Sequence, residues 1–306
     1  MPPCLVAVFP KLLLQGWLAA SIFWMLQRQA MNEPRDRNAL AFRKLSRQVT
    51  KLAGKPKPEY VHKFRTLSRR VEALLEGLAP HPSGNDKKLL ALLARLRKKA
   101  GKLRDLDVQI STLRNLRIPE DRARKAELLQ ALCAERLERE TRLASAFDAK
   151  ALRELGKRLG RASKRLPPDA DPLRPALRQL EDLTRDPSPI TEATLHQYRI
   201  LGKRVRYLAE LCPENPRACE IAAELKQVQD AIGDWHDWLK LTEKAGRFFA
   251  SAPQSGLLST LRAITRNKFL QAVDVLSRAR AQFSSRVETR KPSRPSGPMK
   301  ARSAIA

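Results

Sequence analysis

Residues 195 to 210 read LHQYRILGKRVRYLAE, and within them His196, Arg199, Lys203 and Arg206 stand three, four and three apart. At about 100° per residue they fall within roughly 80° of arc on a helix, a stripe of cations carrying one titratable imidazole. The chemistry open to such a stripe is anion binding. Arginine's planar fork grips two oxygens of one phosphate, lysine adds a compact charge, and an imidazole donates a hydrogen bond and charges more readily beside an anion. On the other side Leu201, Val205 and Leu208 supply the apolar stripe that docks a helix on a core. Like charges at i and i+4 oppose the helix by about 0.2–0.5 kcal/mol per pair, and the local acid is Glu210. Such a face is either screened by solvent or met by an anion.

The stripe has an echo. VHKFRTLSRRVEALLE, residues 61 to 76, aligns to it without a gap at an offset of 134 (62 to 196). His62 matches His196, Phe64 matches Tyr198, Arg65 matches Arg199, Arg69 matches Lys203, Arg70 matches Arg204 and Glu76 matches Glu210. A second pair follows at an offset of 132 (101 to 233), LRKKAGKLRDLDV at 96 to 108 against VQDAIGDWHDWLK at 228 to 240, with Gly101 over Gly233 and Asp105 over Asp237. Two independent matches at nearly one period point to an internal duplication. Shared apolar positions would say only that both halves pack alike. Cations shared at one place are not required by packing, and they favour the anion-binding reading.

Long helical patterns carry these residues, and no segment alternates with the period of two that strands need. Breaks rich in Pro, Gly, Asn or Asp fall at 54–59, 79–85, 117–121, 166–172, 186–189, 212–216 and 251–256. Between them the pattern predicts eight helices: 35–53, 59–78, 86–116, 120–165, 172–184, 190–211, 215–250 and 256–286. The fold class is therefore all-α, two four-helix bundles related by a pseudo-twofold, one spanning 35–165 and the other 166–286. The basic tail, 287–306, lacks periodic apolar content and is expected to be disordered. Residues 1–34 form an apolar extension without charge from Leu12 to Gln27. It reads as a mis-called start, with translation from Met25 or Met31, or as a weak signal or anchor.

Composition sets the partner class. The chain carries 60 Lys and Arg against 32 Asp and Glu among 306 residues, a net charge of +28, which only external anions can offset. Nucleic acid, inorganic polyphosphate and anionic membrane surfaces are the natural candidates. Aromatics at 5% are too scarce for the stacking platforms of single-strand binders. Cys4, Cys133, Cys212 and Cys219 are scattered without ligand spacing and read as thiols in a reducing compartment, and the four histidines show no metal pattern. His81 has no repeat partner and reads as loop surface. The sequence lacks a P-loop, a G-x-S-x-G elbow and a carboxylate cluster able to hold magnesium, so no catalytic residue, cofactor or metal is expected.

At H-x-x-R-x-x-x-[RK]-R, residues 62–70 and 196–204, and at G-x-x-R-D-x-D-V (101–108) with its partner G-D-W-H-D (233–237), the sequence resembles the CHAD family, the conserved histidine α-helical domain. The resemblance spans 35–286. It implies helical bundles around a basic central cavity that binds inorganic polyphosphate. Carried over residue by residue, it implies binding by His62, Arg65, Arg69, Arg70, Lys98 and Arg104 in the first half, and by His196, Arg199, Lys203, Arg204, Arg206 and His236 in the second. Asp105, Asp237 and Tyr207 are expected to support these residues, the two acids from behind the cations. The second half departs from the first, with Asp234 and Trp235 where the first has Lys102 and Leu103. The E-x-E-x-K signature of a fused CYTH triphosphatase domain is missing, so the resemblance is to a stand-alone member. The expected function is non-catalytic polyphosphate binding in the cytoplasm, at polyphosphate granules. Only weak non-specific contact with nucleic acid and no stable membrane association are expected. The runner-up readings are a nucleoid-associated basic protein and an auxiliary domain of a separate polyphosphate enzyme.

Overall fold

The computed structural model describes residues 34–288 except 55, 80, 168–169, 186–187 and 252–254. The expected N-terminal extension and nearly all of the basic tail lie outside the described residues, although helix continues two residues into the predicted tail, to Glu288. Among the described residues there are nine α-helices and no strand. They are α1 (Pro34–Gly54), α2 (Pro58–Leu78), α3 (Gly84–Asn115), α4 (Arg122–Ala144), α5 (Ala149–Arg165), α6 (Leu173–Arg185), α7 (Glu192–Ala209), α8 (Pro216–Phe248) and α9 (Gly256–Glu288). None of them is long and apolar enough to cross a membrane.

Local chemistry explains the starts. Pro58 opens α2 and Pro216 opens α8, where a missing N–H costs nothing, and Asn215 caps α8 by accepting from Ala218 N at 3.2 Å. At α3, Ser83 Oγ accepts from Asp86 N at 3.2 Å while Asp86 accepts from Ser83 N at 2.9 Å, a reciprocal capping box. Thr191 caps α7 by a single bond, its Oγ1 accepting from Thr194 N at 3.2 Å.

One helix expected at 120–165 is two. A 3₁₀ turn at Ser145–Phe147 interrupts it, and Asp148 restarts it as α5 by accepting from Ala151 N at 2.7 Å. The break turns Phe147 into the core, edge-on to Phe64 at 5.3 Å between ring centroids. Nothing in the apolar periodicity marked it; the signal was the capping aspartate. Five helices therefore precede residue 166 and four follow it among the described residues.

Three apolar clusters hold the helices. The first draws on α1, α2, α3 and α5 around Leu45, Phe64, Leu93 and Leu103. The second joins α6, α7, α8 and α9 around Leu195, Val205, Ile232 and Trp235, and takes Ala73 from α2. The third, which the sequence did not announce, lies where the far ends of α3 and α4 meet those of α8 and α9, through Leu113, Leu132, Leu241 and Leu261. It ties early and late helices together. Leu113 is fully buried there, so Leu113→Ala should cost about 2–5 kcal/mol, the usual loss of transfer energy plus an uncollapsed cavity. Urea unfolding should show this as a lowered midpoint, and an unchanged midpoint would mean that the third cluster carries little of the stability.

Candidate functional site

The two basic stripes lie on α2 and α7, and these helices pack against each other. On α7 the core-facing side is Leu195, Tyr198, Gly202, Val205 and Leu208. Leu201, expected in that apolar stripe, is instead exposed, because the buried arc centres on Tyr198 and Gly202 and passes it by. Gly77 on α2 permits the close approach at the C-terminal end: a Cβ there would stand 3.2 Å from the Leu208 methyls.

Packed this way, the stripes meet. Arg65 and Arg69 of α2 stand close enough to Arg199 and Lys203 of α7 that each side shifts the other's charge equilibrium. Burial and then the neighbouring Arg199, Arg69, Arg65 and Arg206 push the Lys203 ammonium down to about 6, and burial and Arg69 bring Arg65 down to about 10. Arg199 is lowered by the same two causes. Among the described residues these four cations have no carboxylate within ion-pair distance. Arg65 Nη1 donates only to the Arg97 carbonyl at 3.3 Å, and Arg199 Nε is buried without a hydrogen-bond partner. A pocket of about 210 Å³ opens over three of them, Arg69, Arg199 and Lys203, and is lined also by Glu72, Arg97, Ile200, Arg204 and Tyr207.

Outside this inner group the cations are held by acids. Arg70 pairs with Glu210, and Arg204 pairs with Glu76 at 2.6 Å. Under the 134-residue offset these two bonds exchange: 70 becomes 204 and 76 becomes 210. Arg206 reaches Glu210 at 3.3 Å, and Arg70 and Arg206 both lie over the ring of Tyr207, at 5.8 and 5.2 Å from its centroid. Tyr207 is buried, and its ring is a platform for these two arginines.

The histidines sit at the rim. His62 is exposed, yet partial desolvation, then Arg104, Arg65 and Lys203, hold its imidazole below the ordinary value. His196 lies alongside His236 with ring centroids 6.4 Å apart, and desolvation, Arg199 and His236 lower its imidazole too. His236 Nδ1 is 3.8 Å from Asp237 Oδ1. Asp105 and Asp237 brace by charge alone. They favour the cationic form of Arg199, and Asp105 that of Arg65, but neither makes a hydrogen bond to a stripe arginine.

Lys98 does not join the stripes. It lies on the flank of α3 turned toward α4, beside Lys99, Lys102 and Arg139. Its predecessor Arg97 faces the pocket, where its bond to Glu72 at 2.6 Å orients it. The sequence carried this signal: Arg97 is one turn before Gly101 and shares its face, whereas Lys98 is rotated the other way. Lys240, within reach of His196, was also missed. Gly101 is buried against the Arg65 guanidinium, so a Cβ there would occupy the place of Arg65 Nη1. Its counterpart Gly233 has open space, so the two halves differ here. Among the described residues no group of three His, Cys, Asp or Glu side chains could hold a metal ion.

Two outcomes follow from this geometry. Gly101→Ala removes a helix-interior glycine and should stabilise α3 by up to about 1 kcal/mol, while displacing the far end of Arg65. A raised thermal midpoint with weakened anion binding is the expected signature; unchanged binding would mean that the Arg65 position is immaterial. Lys203 loses its proton in the fold near pH 6 but keeps it in the unfolded chain up to its ordinary value of 10.5. Between these limits the unfolded state binds the extra proton, so this lysine's contribution makes the fold more stable as pH rises. Lys203→Met should raise the thermal midpoint by about 2–4 °C at pH 6, as a change near 1 kcal/mol does in a domain of this size, and by progressively less toward pH 10. A constant difference across that range would contradict the buried-cation account.

The comparisons agree with this architecture. A family model described as CHAD domain matches residues 38–245. The crystal structure of the CHAD domain from the plant Ricinus communis superposes with a TM-score of 0.60 at 19% identity, covering 82% of this chain and 90% of that one. PptA from Streptomyces chartreusis gives a TM-score of 0.60 at 16% identity, covering 81% and 98%. At such identities the two structures speak for the fold alone. No curated protein matches the sequence.

Proposed function

The chain belongs to the CHAD domain family, and on that premise we propose that it binds inorganic polyphosphate, without catalysis, between α2 and α7. The observation that carries this reading is the inner group of Arg65, Arg69, Arg199 and Lys203: four basic side chains from two helices, of which Arg69, Arg199 and Lys203 line one pocket and Arg65 lies near them, none with an ion-pair partner among the described residues. A fold that brings like charges together and leaves them unpaired is stabilised by a ligand that brings several negative charges at once. Polyphosphate offers about one charge per phosphate along a flexible line, and binding proceeds chiefly by neutralisation and counterion release. The acids nearby are already engaged, Glu72 with Arg97, Glu76 with Arg204 and Glu210 with Arg70, so they orient cations without capping the inner four. The exchange of the Arg70–Glu210 and Arg204–Glu76 pairs supports reading the two halves as a duplication that meets across a local twofold. In the cell, such binding would place the protein on polyphosphate granules.

The test is retention on immobilised polyphosphate at moderate salt. Wild type should be held, and a variant with Arg65, Arg69 and Arg199 changed to Gln and Lys203 to Met should elute early while folding normally by circular dichroism. Equal retention would remove the site. Short duplex DNA offered at equal phosphate concentration should not displace the protein; displacement would favour the nucleic-acid reading. Phosphate release from polyphosphate with magnesium or manganese present should stay at the rate without protein, and release above that rate would make the protein an enzyme.

A polyanion favours the protonated forms of Lys203, His62 and His196, all of which are depressed in the free protein. Binding should therefore take up protons and weaken as pH rises above 6. Affinity at pH 6 should exceed that at pH 8 by about tenfold, the effect of one pKa unit of linkage. Titration calorimetry in buffers of differing ionisation enthalpy measures the proton uptake, and Lys203→Met should leave only the histidine part of it.

A further inference from the structure

Where α2 carries Arg69, its repeat partner on α7 is Lys203. An arginine at this place stays charged, whereas a lysine can shed its proton and become a nucleophile. Other lysines have acceptors to hold the proton: Lys226, Lys240, Lys244 and Lys268 each meet a carboxylate, and Lys125 donates to the Arg114 carbonyl at 3.0 Å. Among the described residues Lys203 makes no ion pair or hydrogen bond, and its charged neighbours are Arg199, Arg69, Arg65 and Arg206. Burial and these neighbours push its amine down to about 6, so at neutral pH it is uncharged. Lys203 is nevertheless only half-buried and lines an open pocket, where a small molecule reaches it.

The pocket is short of acceptors. Glu72 is the one carboxylate among its lining residues, and Arg97 takes it at 2.6 Å. Arg97 Nη1 and Arg199 Nε, on two further lining residues, are buried without a hydrogen-bond partner. An uncharged amine beside unpaired guanidinium groups suits reaction with carbon dioxide. The nitrogen lone pair attacks carbon, an N–C bond forms as one C=O π pair withdraws onto oxygen, and the amine releases a proton to solvent. No oxidation state changes. The product, a carbamate, carries one negative charge and two acceptor oxygens just beyond Nζ, among arginines that lack both.

We propose that Lys203 is a carbamate-forming site through which carbon dioxide competes with the phosphate polymer for the inner arginines. The modification stands on the pocket itself, while its effect on binding rests on polyphosphate binding between α2 and α7. The two states exclude each other. The polymer favours Lys203 as an ammonium, and the carbamate removes that cation and sets an anion in its place. The coupling is reciprocal, so the polymer lowers carbamate occupancy by the factor by which carbon dioxide lowers affinity for the polymer.

The experiment uses the full chain at neutral pH and matched ionic strength, with carbon-13 bicarbonate in equilibrium with carbon dioxide, or with chloride in its place. Carbon-13 NMR of wild type should show a carbamate resonance that added polyphosphate removes. Alkylation with a trialkyloxonium salt should fix the adduct as an ester on Lys203, identified by mass spectrometry of the peptides. Polyphosphate affinity should fall by about tenfold in carbon dioxide, an ordinary coupling between two ligands. Lys203→Arg, checked for folding by circular dichroism, keeps a cation but forms no carbamate, so its affinity, whatever its level, should not respond to carbon dioxide. Absence of the adduct on Lys203 in wild type would overturn the proposal without recourse to any variant. An equal loss of affinity in Lys203→Arg would make bicarbonate a plain competing anion and overturn the carbamate as the cause. An adduct with unchanged affinity would overturn the competition. Wild type that forms the adduct but holds no polyphosphate under either condition would overturn the polyphosphate reading and leave the modification site standing.

Discussion

Two helices of the same charge are pressed face to face, and much of the surrounding structure exists to tolerate that contact. Burying α2 against α7 brings Arg65, Arg69, Arg199 and Lys203 together, where burial and the charge of Arg69 raise the cost of charging the other three. The contact is held from its edges. Arg70 reaches across to Glu210 and Arg204 reaches back to Glu76, so each helix grips the other through an acid near its own C-terminal end. Ala73 of α2 enters the core of the later helices, and Leu211, just past α7, packs on the core of the earlier ones. The basic groups in the middle are left without an ion-pair partner among the described residues.

That division explains why residues of one type do different things. Arg70, Arg204 and Arg206 sit where a glutamate is in reach, and Tyr207 gives two of them a flat face to lie on. Arg70 and Arg204 bridge the two helices, while Arg206 pairs within one turn of its own chain segment. Arg65 and Arg199 sit one to two turns earlier, where Asp105 acts on both and Asp237 on Arg199 through space without a hydrogen bond. Gly101 leaves room for the Arg65 guanidinium to lie against α3. A lysine in the inner group differs from an arginine because it can shed its proton. Lys203 does so near pH 6, and the flanking His62 and His196 imidazoles are likewise held below their ordinary value.

The helices and their stripes were legible because both signals are local. The spacing of His62, Arg65 and Arg69, its repetition at His196, Arg199 and Lys203, and the glycine and aspartate of the second motif are periodicities that a single helix fixes. The ends of α2, α3, α7 and α8 lay within two residues of the break signals because proline and capping side chains set them. The split between α4 and α5 was not legible from periodicity: Leu143, Phe147 and Leu155 all reach the core, and only the turn at Ser145–Phe147 shows that they do so from two directions. Leu201 was misplaced for a related reason. An apolar residue at the border of a stripe is assigned to core or solvent by the neighbour it meets, and α7 meets none there.

The sequence by itself determined an all-helical chain, a repeated pair of motifs, and the identity of the cations that could meet an anion. Those follow from residue type and from a 3.6-residue period, which need no partner to be read. Only the tertiary structure decided which cations are free and which are spent. It bonded Arg70 and Arg204 to acids 140 and 128 positions away (70 to 210, 76 to 204), turned Arg97 into the pocket and Lys98 out of it, and built a third core from Leu113, Leu132, Leu241 and Leu261. Charge pairing depends on distance through space, falling off within a few ångströms, and distance through space is what a linear order of residues does not contain.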